Sequence, residues 1–413
     1  MRVKNQFQTG ANEQTPSLTR RAFLAAAASA TAFSIMSPAL ARGATANSRV
    51  TVGMIGTGGR GAWIADHVAK QPGFQITALA DYFPNVAEAV GEKLQVPKER
   101  RFSGLNAYRR LLESKVDAVF LETPPYFFPI HAKAAVEAGC HVYMAKPVAV
   151  DVPGCLGILE AGRQATKNKK VFQVDFQTRA DPFYIEAMKH VRTGMLGKIG
   201  LITPFYHDDC FLDPAKEKTI EPLLHRLAWC NDNALGGAYI LNCDVHAIDV
   251  ALWIAGELPE SAVGFSVRNR ANAIHDSHDC YAISYHFKSG IVMSHQSEHV
   301  PNSFGTIGCN AYGQKSHIKT IYGGAVSIRG VEDLYEGGEN KALYADGMQR
   351  NVATFHKSIV EGIYDNPTLE PSVNSTLACV LGREAALRGR QMTWAELLRN
   401  KARMELDLTG LKT

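Results

Sequence analysis

The run Val50-Thr51-Val52-Gly53-Met54-Ile55-Gly56-Thr57-Gly58-Gly59-Arg60-Gly61 leaves few options for the fold around it. An apolar, β-branched stretch gives way to glycines and then to Ala62-Trp63-Ile64-Ala65 at helical spacing, which predicts strand, tight turn, helix. Gly56, Gly58 and Gly61 fall at the G-x-G-x-x-G spacing of a dinucleotide-binding turn. At that spacing Gly56 allows the turn, Gly58 admits a pyrophosphate to the backbone, and Gly61 lets the helix pack close to its strand. Thr57, Gly59 and Arg60 complete the loop, and the free N–H groups of the helix N-terminus complement phosphate charge.

The motif alone is weak, and its surroundings strengthen it. Strand-like runs at Val50–Ile55, Phe74–Ala80, Asp117–Leu121, His141–Met144 and Val171–Phe176 alternate with helical patterns between them. Such alternation predicts a Rossmann-type, doubly wound parallel sheet over residues 49–175. Asp81 closes the second strand, where a carboxylate meets ribose hydroxyls and disfavours a 2′-phosphate. The expected cofactor is therefore NAD, with NADP second; Arg60, a guanidinium able to meet a phosphate, pulls the other way. Thr123 and Pro124 follow the third strand-like run, at the edge where the nicotinamide side of a cofactor sits.

At 413 residues and 46% hydrophobic the chain is too long for one ordinary domain. The formal charge of +4 is small, and no basic run beyond the N-terminal segment suggests nucleic acid. Eight cysteines without a C-x-x-C pair argue against a disulfide framework or zinc, and no metal is expected. Residues 1–41 read as a signal peptide, with Arg20-Arg21 ahead of Phe23-Leu24 and an Ala-rich run ending in Ala39 and Ala41. The paired arginines fit twin-arginine export of a folded protein to the periplasm, with cleavage leaving no membrane insertion. Export in a folded state agrees with a cofactor that is carried out already bound.

The stretch His141-Val142-Tyr143-Met144-Ala145-Lys146-Pro147 and the later Gly236-Gly237…Asn242-Cys243-Asp244-Val245-His246-Ala247-Ile248-Asp249 resemble the Gfo/Idh/MocA oxidoreductase family. That resemblance spans nearly all of residues 49–400. It implies a second domain over 176–370, an open and mostly antiparallel sheet covered by helices, with residues 371–413 returning to the first domain. Through that sheet it implies a homo-oligomer. It also implies catalytic roles for Lys146 and His246. Two positions depart from the family pattern: Ala145 stands where the family has Glu, and Asn242 where it has Asp. An amide orients an imidazole without stabilising imidazolium, so Asp249, one helical turn on, and Asp244 are candidate substitutes.

Arg179 falls where the family's chain crosses toward substrate; it either grips a sugar or braces the domain junction. Tyr206 and His207 leave a strand end with chemistry suited to a sugar ring. The segment His275-Asp276-Ser277-His278-Asp279 reads as a solvated loop lining the cleft, and Arg383, Glu384, Arg388 and Arg390 as a solvated helix face. The expected reaction passes a hydride between a sugar, glycoside or cyclitol carbinol and NAD. In it His246 is the base, Lys146 stabilises the oxygen, and Asn242 and Asp249 orient the imidazole or substrate. Two alternatives stay open: an NAD-dependent glycosidase working by transient oxidation and elimination, and a redox-silent binding protein.

Overall fold

Six short strands, most of whose residues are buried, build the first layer. The computed structural model describes residues 49–331 and 333–413; the signal segment and its export reading lie outside the described residues. β1 (Val50–Ile55), β2 (Phe74–Asp81), β3 (Arg101–Ser103), β4 (Ala118–Leu121), β5 (His141–Ala145) and β6 (Phe172–Asp175) form a parallel sheet in the order β3-β2-β1-β4-β5-β6. Helices α1 (Gly59–Ala69), α2 (Pro84–Lys93), α3 (Ala107–Glu113), α4 (Phe128–Glu137) and α5 (Val152–Lys167) make the crossovers. Strand order reverses between β1 and β4, and a crevice outside such a reversal is where this architecture binds ligands. β3 has three residues and no apolar run, so sequence pattern misses it.

The second layer starts with α6 (Pro182–Arg192), whose Asp181 cap accepts from the Phe183 and Tyr184 amides. Strand β7 (Ile199–Asp208) follows, then a π-helical turn at Ile240–Asp244 running into α7 (Val245–Ala255). Next come β8 (Pro259–Val267), β9 (Cys280–Phe287), β10 (Val292–His299), β11 (Thr306–Gly313), β12 (His317–Ile321), β13 (Ala325–Arg329) and β14 (Asp333–Glu339). The chain closes with α8 (Leu343–Glu361), α9 (Leu369–Arg388), β15 (Met392–Thr393) and α10 (Trp394–Asn400). The sheet order is β14-β13-β12-β11-β7-β10-β9-β8-β15, and β7 with β10 is its parallel pair. Strand alternation gives it two characters: in β9, Tyr281, Ile283, Tyr285 and Phe287 point inward and Ala282, Ser284 and His286 outward. Helix α7 packs on β7 and β11, and α9 on β8 and β9.

Two helices tie the layers together. Met348, Val352 and Phe355 of α8 join Phe74, Phe120 and Tyr143 in one core beneath the parallel sheet, while α9 packs on α5. Two expectations about polar residues are corrected. Arg383 is not solvated but buried, donating to the Gly237 carbonyl at 3.2 Å. The His275–Asp279 segment does not line the cleft: His275 meets Asp213 at 2.5 Å and Asp279 takes Arg270 at 2.8 Å, so these two side chains are buried while Asp276 stays exposed. Among the described residues no helix is long and apolar enough to cross a membrane.

Candidate active site

A cavity of about 860 Å³ runs along the carboxyl ends of the parallel strands and under the second sheet. It is lined by Gly56, Gly58, Gly59 and Asp81, by Thr123, Pro124 and Lys146 at later strand ends, and by Tyr206, Asn242 and His246 of the second domain.

The glycine turn is built as its spacing requires. Gly56 has φ +90°, and a Cβ there would meet the Glu122 backbone at 2.7 Å; one on Gly61 would meet the Gly56 carbonyl at 2.1 Å. Around Gly58 and Gly59 there is open space, a Cβ on Gly58 meeting nothing nearer than Val86 at 3.8 Å. That unfilled cradle at the start of α1 is the fit a pyrophosphate needs. Thr57 and Gly61 do not line the cavity. The Thr57 amide and hydroxyl instead donate to Asp81 Oδ2 at 2.7 and 3.2 Å, while the Phe83 amide donates to Asp81 Oδ1 at 3.0 Å. Asp81 thus closes the turn as well as facing the cavity, and its burial pushes its carboxyl above the usual range despite those donors.

Arg60 turns inward. Its guanidinium donates to Tyr344 Oη at 2.6 Å, pairs with Asp175, and has Nε 3.4 Å from Glu122 Oε2. It also lies over the Trp63 and Tyr344 rings, 5.6 and 5.0 Å from their centroids. A guanidinium held by two carboxylates is not presented to a 2′-phosphate, which removes the sequence argument for NADP.

At the far end, Lys146 Nζ donates to the Asn242 carbonyl oxygen. Burial lowers its pKa, as does the Arg60 cation, with Cys243, Cys230 and Asp175 opposing. His246 is buried beside Phe176 and Tyr322, and burial with the Lys146 and Arg60 charges holds its pKa well below the ordinary value. It is a neutral imidazole at neutral pH, the form a base requires. Its Nδ1, Asn242 Oδ1 and Glu122 Oε1 are all buried without a hydrogen-bond partner. Three orphaned polar atoms on residues that line one cavity mark where ligand groups dock.

Not every expected residue gathers here. Asn242 does not reach His246; its Nδ2 donates to the Gly236 and Ala238 carbonyls at 2.5 and 2.9 Å. Asp249 and Arg179 lie outside the cavity lining, joined by two 2.8 Å hydrogen bonds, with Ser375 donating to Asp249 at 2.6 Å and Arg179 over Trp253. Arg179 is thus tied to α7 through Asp249 and not presented to the cavity. His207 also lies outside, on the open face beside Glu298 at 3.5 Å, because consecutive strand residues point oppositely. Asp244 is held under the sheet by His295 and His299 at 2.9 Å and by Ser297 at 2.6 Å. The abundant donors keep its carboxyl well below the usual range, against the effect of burial.

Residues the sequence gave no role also line the cavity: Glu122, Tyr344, Trp229, Phe211, Cys230 and Cys243. Glu122, a charge immediately after an apolar strand, was the visible signal among them. Over the turn end, His225 stacks on Phe83 with centroids 3.9 Å apart. The C-terminal residues strap the same rim: the Leu105 amide donates to the Lys412 carbonyl at 2.9 Å, and the Lys412 amide donates to Tyr82 Oη at 3.2 Å.

With this geometry in hand, comparison with known proteins decides the family. Residues 50–176 match the oxidoreductase family NAD-binding Rossmann fold, and residues 188–392 match that family's C-terminal alpha/beta domain. The chain belongs to the Gfo/Idh/MocA oxidoreductase family. It is similar to inositol 2-dehydrogenase 3 of Saccharopolyspora erythraea, 25% identical over 356 residues, covering 83% of this chain and 94% of that one. A shorter match, 30% identical over 155 residues, is to glycosyl hydrolase family 109 protein 4 of Phocaeicola vulgatus, covering 36% of this chain and 29% of that one. Among solved structures, levoglucosan dehydrogenase in complex with NADH and levoglucosan has TM-score 0.68 at 19% identity, covering 84% of this chain and 99% of that one. This Gfo/Idh/MocA chain is an NAD-binding oxidoreductase.

Proposed function

We propose that this protein oxidises or reduces a ring carbinol of a sugar, glycoside or cyclitol, holds its NAD tightly, and works in the periplasm after twin-arginine export. The observation that carries this reading is that Lys146 and a neutral His246 line the same cavity as the glycine turn and Asp81. NAD bound there supplies the hydride acceptor or donor at nicotinamide C4. Gly58, Gly59 and the start of α1 hold the pyrophosphate, Asp81 the adenosine ribose, and Thr123 and Pro124 the nicotinamide side. His246 takes the hydroxyl proton as the hydride leaves, and Lys146 hydrogen-bonds the same oxygen. Asn242 Oδ1 accepts from a neighbouring hydroxyl, and Tyr206 offers its ring and hydroxyl at the same end.

The stacked His225 and the C-terminal strap support a slowly released cofactor, and they favour a second reading alongside the first. In a glycosidase that oxidises transiently and then eliminates, NAD is regenerated each cycle and need not leave. A panel of sugars, cyclitols and aryl glycosides, followed by nucleotide absorbance and product mass, tests both. Net reduction of NAD with a ketone product supports the dehydrogenase; aglycone release without net NADH supports the glycosidase; neither, with NAD bound, would leave the binding-protein reading.

On the open face of the second sheet, His286, Val292, Leu201 and Tyr312 make one continuous row across β9, β10, β7 and β11. Val292, Leu201 and Tyr312 are exposed. We infer that a second copy covers this apolar row, and light scattering of a Leu201→Glu variant tests it.

A further inference from the structure

The missing carboxylate at position 145 has a neighbour on each side. In the register of the parallel sheet, Ala145 of β5 pairs with Asp175 of β6, and Leu121 pairs with Met144, which puts Glu122 one residue on, opposite Ala145. Residues level with one another on parallel strands point to the same face. Glu122, Ala145 and Asp175 therefore form a row across three strand ends, and Arg60 from α1 pairs with the carboxylates on both sides of the alanine. The small Ala145 side chain leaves room for that guanidinium.

Asp175 is saturated, taking Asn351 Nδ2 at 2.7 Å and Gln177 Nε2 at 3.2 Å besides Arg60. Glu122 is not. Its side chain is 1% exposed, one oxygen meets Arg60, and the other has no partner although the residue lines the cavity. Lys146, which lines the same cavity, has three donors and makes its one described hydrogen bond to a neutral carbonyl. A buried ammonium so placed needs a counter-charge.

We propose that Glu122 is that counter-charge: a positioning residue that supplies from β4 the carboxylate missing at 145 and sets the proton state of Lys146. The inference rests on reading this cavity as the active site. The charged and titratable groups facing Lys146 are Arg60 from α1, Glu122 from β4, Asp175 from β6, Cys230 and Cys243 from the second domain, and His246 from α7. Of these, Asp175 is already committed and the thiols are neutral at working pH, their burial pushing them up. Burial pushes the Glu122 carboxyl itself up to about 8 while the Arg60 and Lys146 cations pull it down, and above that pH Glu122 is the carboxylate left to balance the lysine.

The test reads Lys146 directly in the full chain. Reductive methylation with formaldehyde and cyanoborohydride is followed at Lys146 by peptide mass spectrometry across pH, since the neutral amine reacts. In Glu122→Gln the labelling midpoint is expected about one pH unit lower than in the parent, the size of shift a carboxylate within a few ångströms supplies. Glu122→Asp, which keeps the charge, is expected to hold the midpoint, and Ala145→Glu placed in the Glu122→Gln background to bring it back. An unchanged midpoint in Glu122→Gln, an equal shift in Glu122→Asp, or no recovery in the double variant would each overturn the proposal. Labelling needs no turnover, so a mistaken substrate class leaves this result standing.

Discussion

Lys146, at the end of the parallel sheet, donates its hydrogen bond to the backbone carbonyl of Asn242 in the π-helical turn of the second domain. One bond thus fixes the spacing between the strand that carries the lysine and the helix that carries His246. A π turn widens the helix by one residue, which shifts the phase of everything after it; such turns gather at functional sites. Here it leaves the Asn242 carbonyl free for the lysine and sets His246 at the cavity.

Removing either proton-handling group should cost on the order of 10²- to 10⁴-fold in turnover. His246→Ala is expected to lose kcat with NAD affinity unchanged, because the imidazole comes from the second domain and not from the glycine turn. Lys146→Ala is expected to lose kcat as well. Steady-state kinetics with any accepted sugar, together with NAD titration, checks both; near-parent rates in the two variants would refute the assignment.

Restoring the family residue at 242 is expected to harm rather than help. Asn242 Nδ2 donates to two buried carbonyls, at 2.5 and 2.9 Å, and an aspartate has no proton to give them. Asn242→Asp would set a buried carboxylate against both oxygens, costing about 1–3 kcal/mol or more. Urea unfolding of the variant should show a lower midpoint at pH 7.5, with part of the loss recovered at acid pH as the carboxyl protonates. A variant as stable as the parent would show that the amide donors contribute nothing.

What could be read in the chain and what could not divides along physical lines. The glycine turn, Asp81 and the parallel strands are local patterns: period, spacing and turn residues sit within a few positions of one another. Arg60 was misjudged because its partners lie 62, 115 and 284 residues away, and only tertiary structure shows two carboxylates and a tyrosine waiting for it. Asp249 and Asp244 illustrate the limit most clearly. Asp249, about one helical turn after His246, and Asp244, two residues before it, both stood as candidate orienters, yet each carboxylate is consumed by distant groups, Arg179 and Ser375 for one, His295, Ser297 and His299 for the other. The segment at 275–279 looked solvated because its residues are polar, whereas pairing with Asp213 and Arg270 allows His275 and Asp279 to be buried.

The Arg179–Asp249 pair is expected to act on stability alone. Asp249 is fully buried, and truncating it leaves the partly buried Arg179 guanidinium and the Ser375 hydroxyl without their acceptor. Asp249→Ala should lose about 3–5 kcal/mol, the range for breaking one side of a buried pair. The informative control is the pH profile of kcat/KM, which should keep its shape below the variant's melting temperature. A shifted acid limb would instead place Asp249 in contact with the imidazole.

Acid sensitivity should come from histidines that the fold keeps neutral. Burial pushes His131 down to about 3, between the Tyr108 and Phe127 rings, and His141 down to about 4. In the unfolded chain each binds a proton near pH 6.5, whereas the folded chain refuses it until pH 3–4. Through that window the unfolded state holds more protons, so stability falls as pH drops below about 6.5 and stops falling on their account near 3–4. The Asp244 carboxyl, held low, loses its contribution only below its ordinary range and so adds to the fall at the acid end. Urea unfolding at pH 7.5 and 5.0 should therefore give a lower midpoint at pH 5.0. His131→Gln, which removes one titrating group, should narrow the gap between the two, and an unchanged gap in that variant would mean that His131 binds its proton in the folded chain as readily as in the unfolded one.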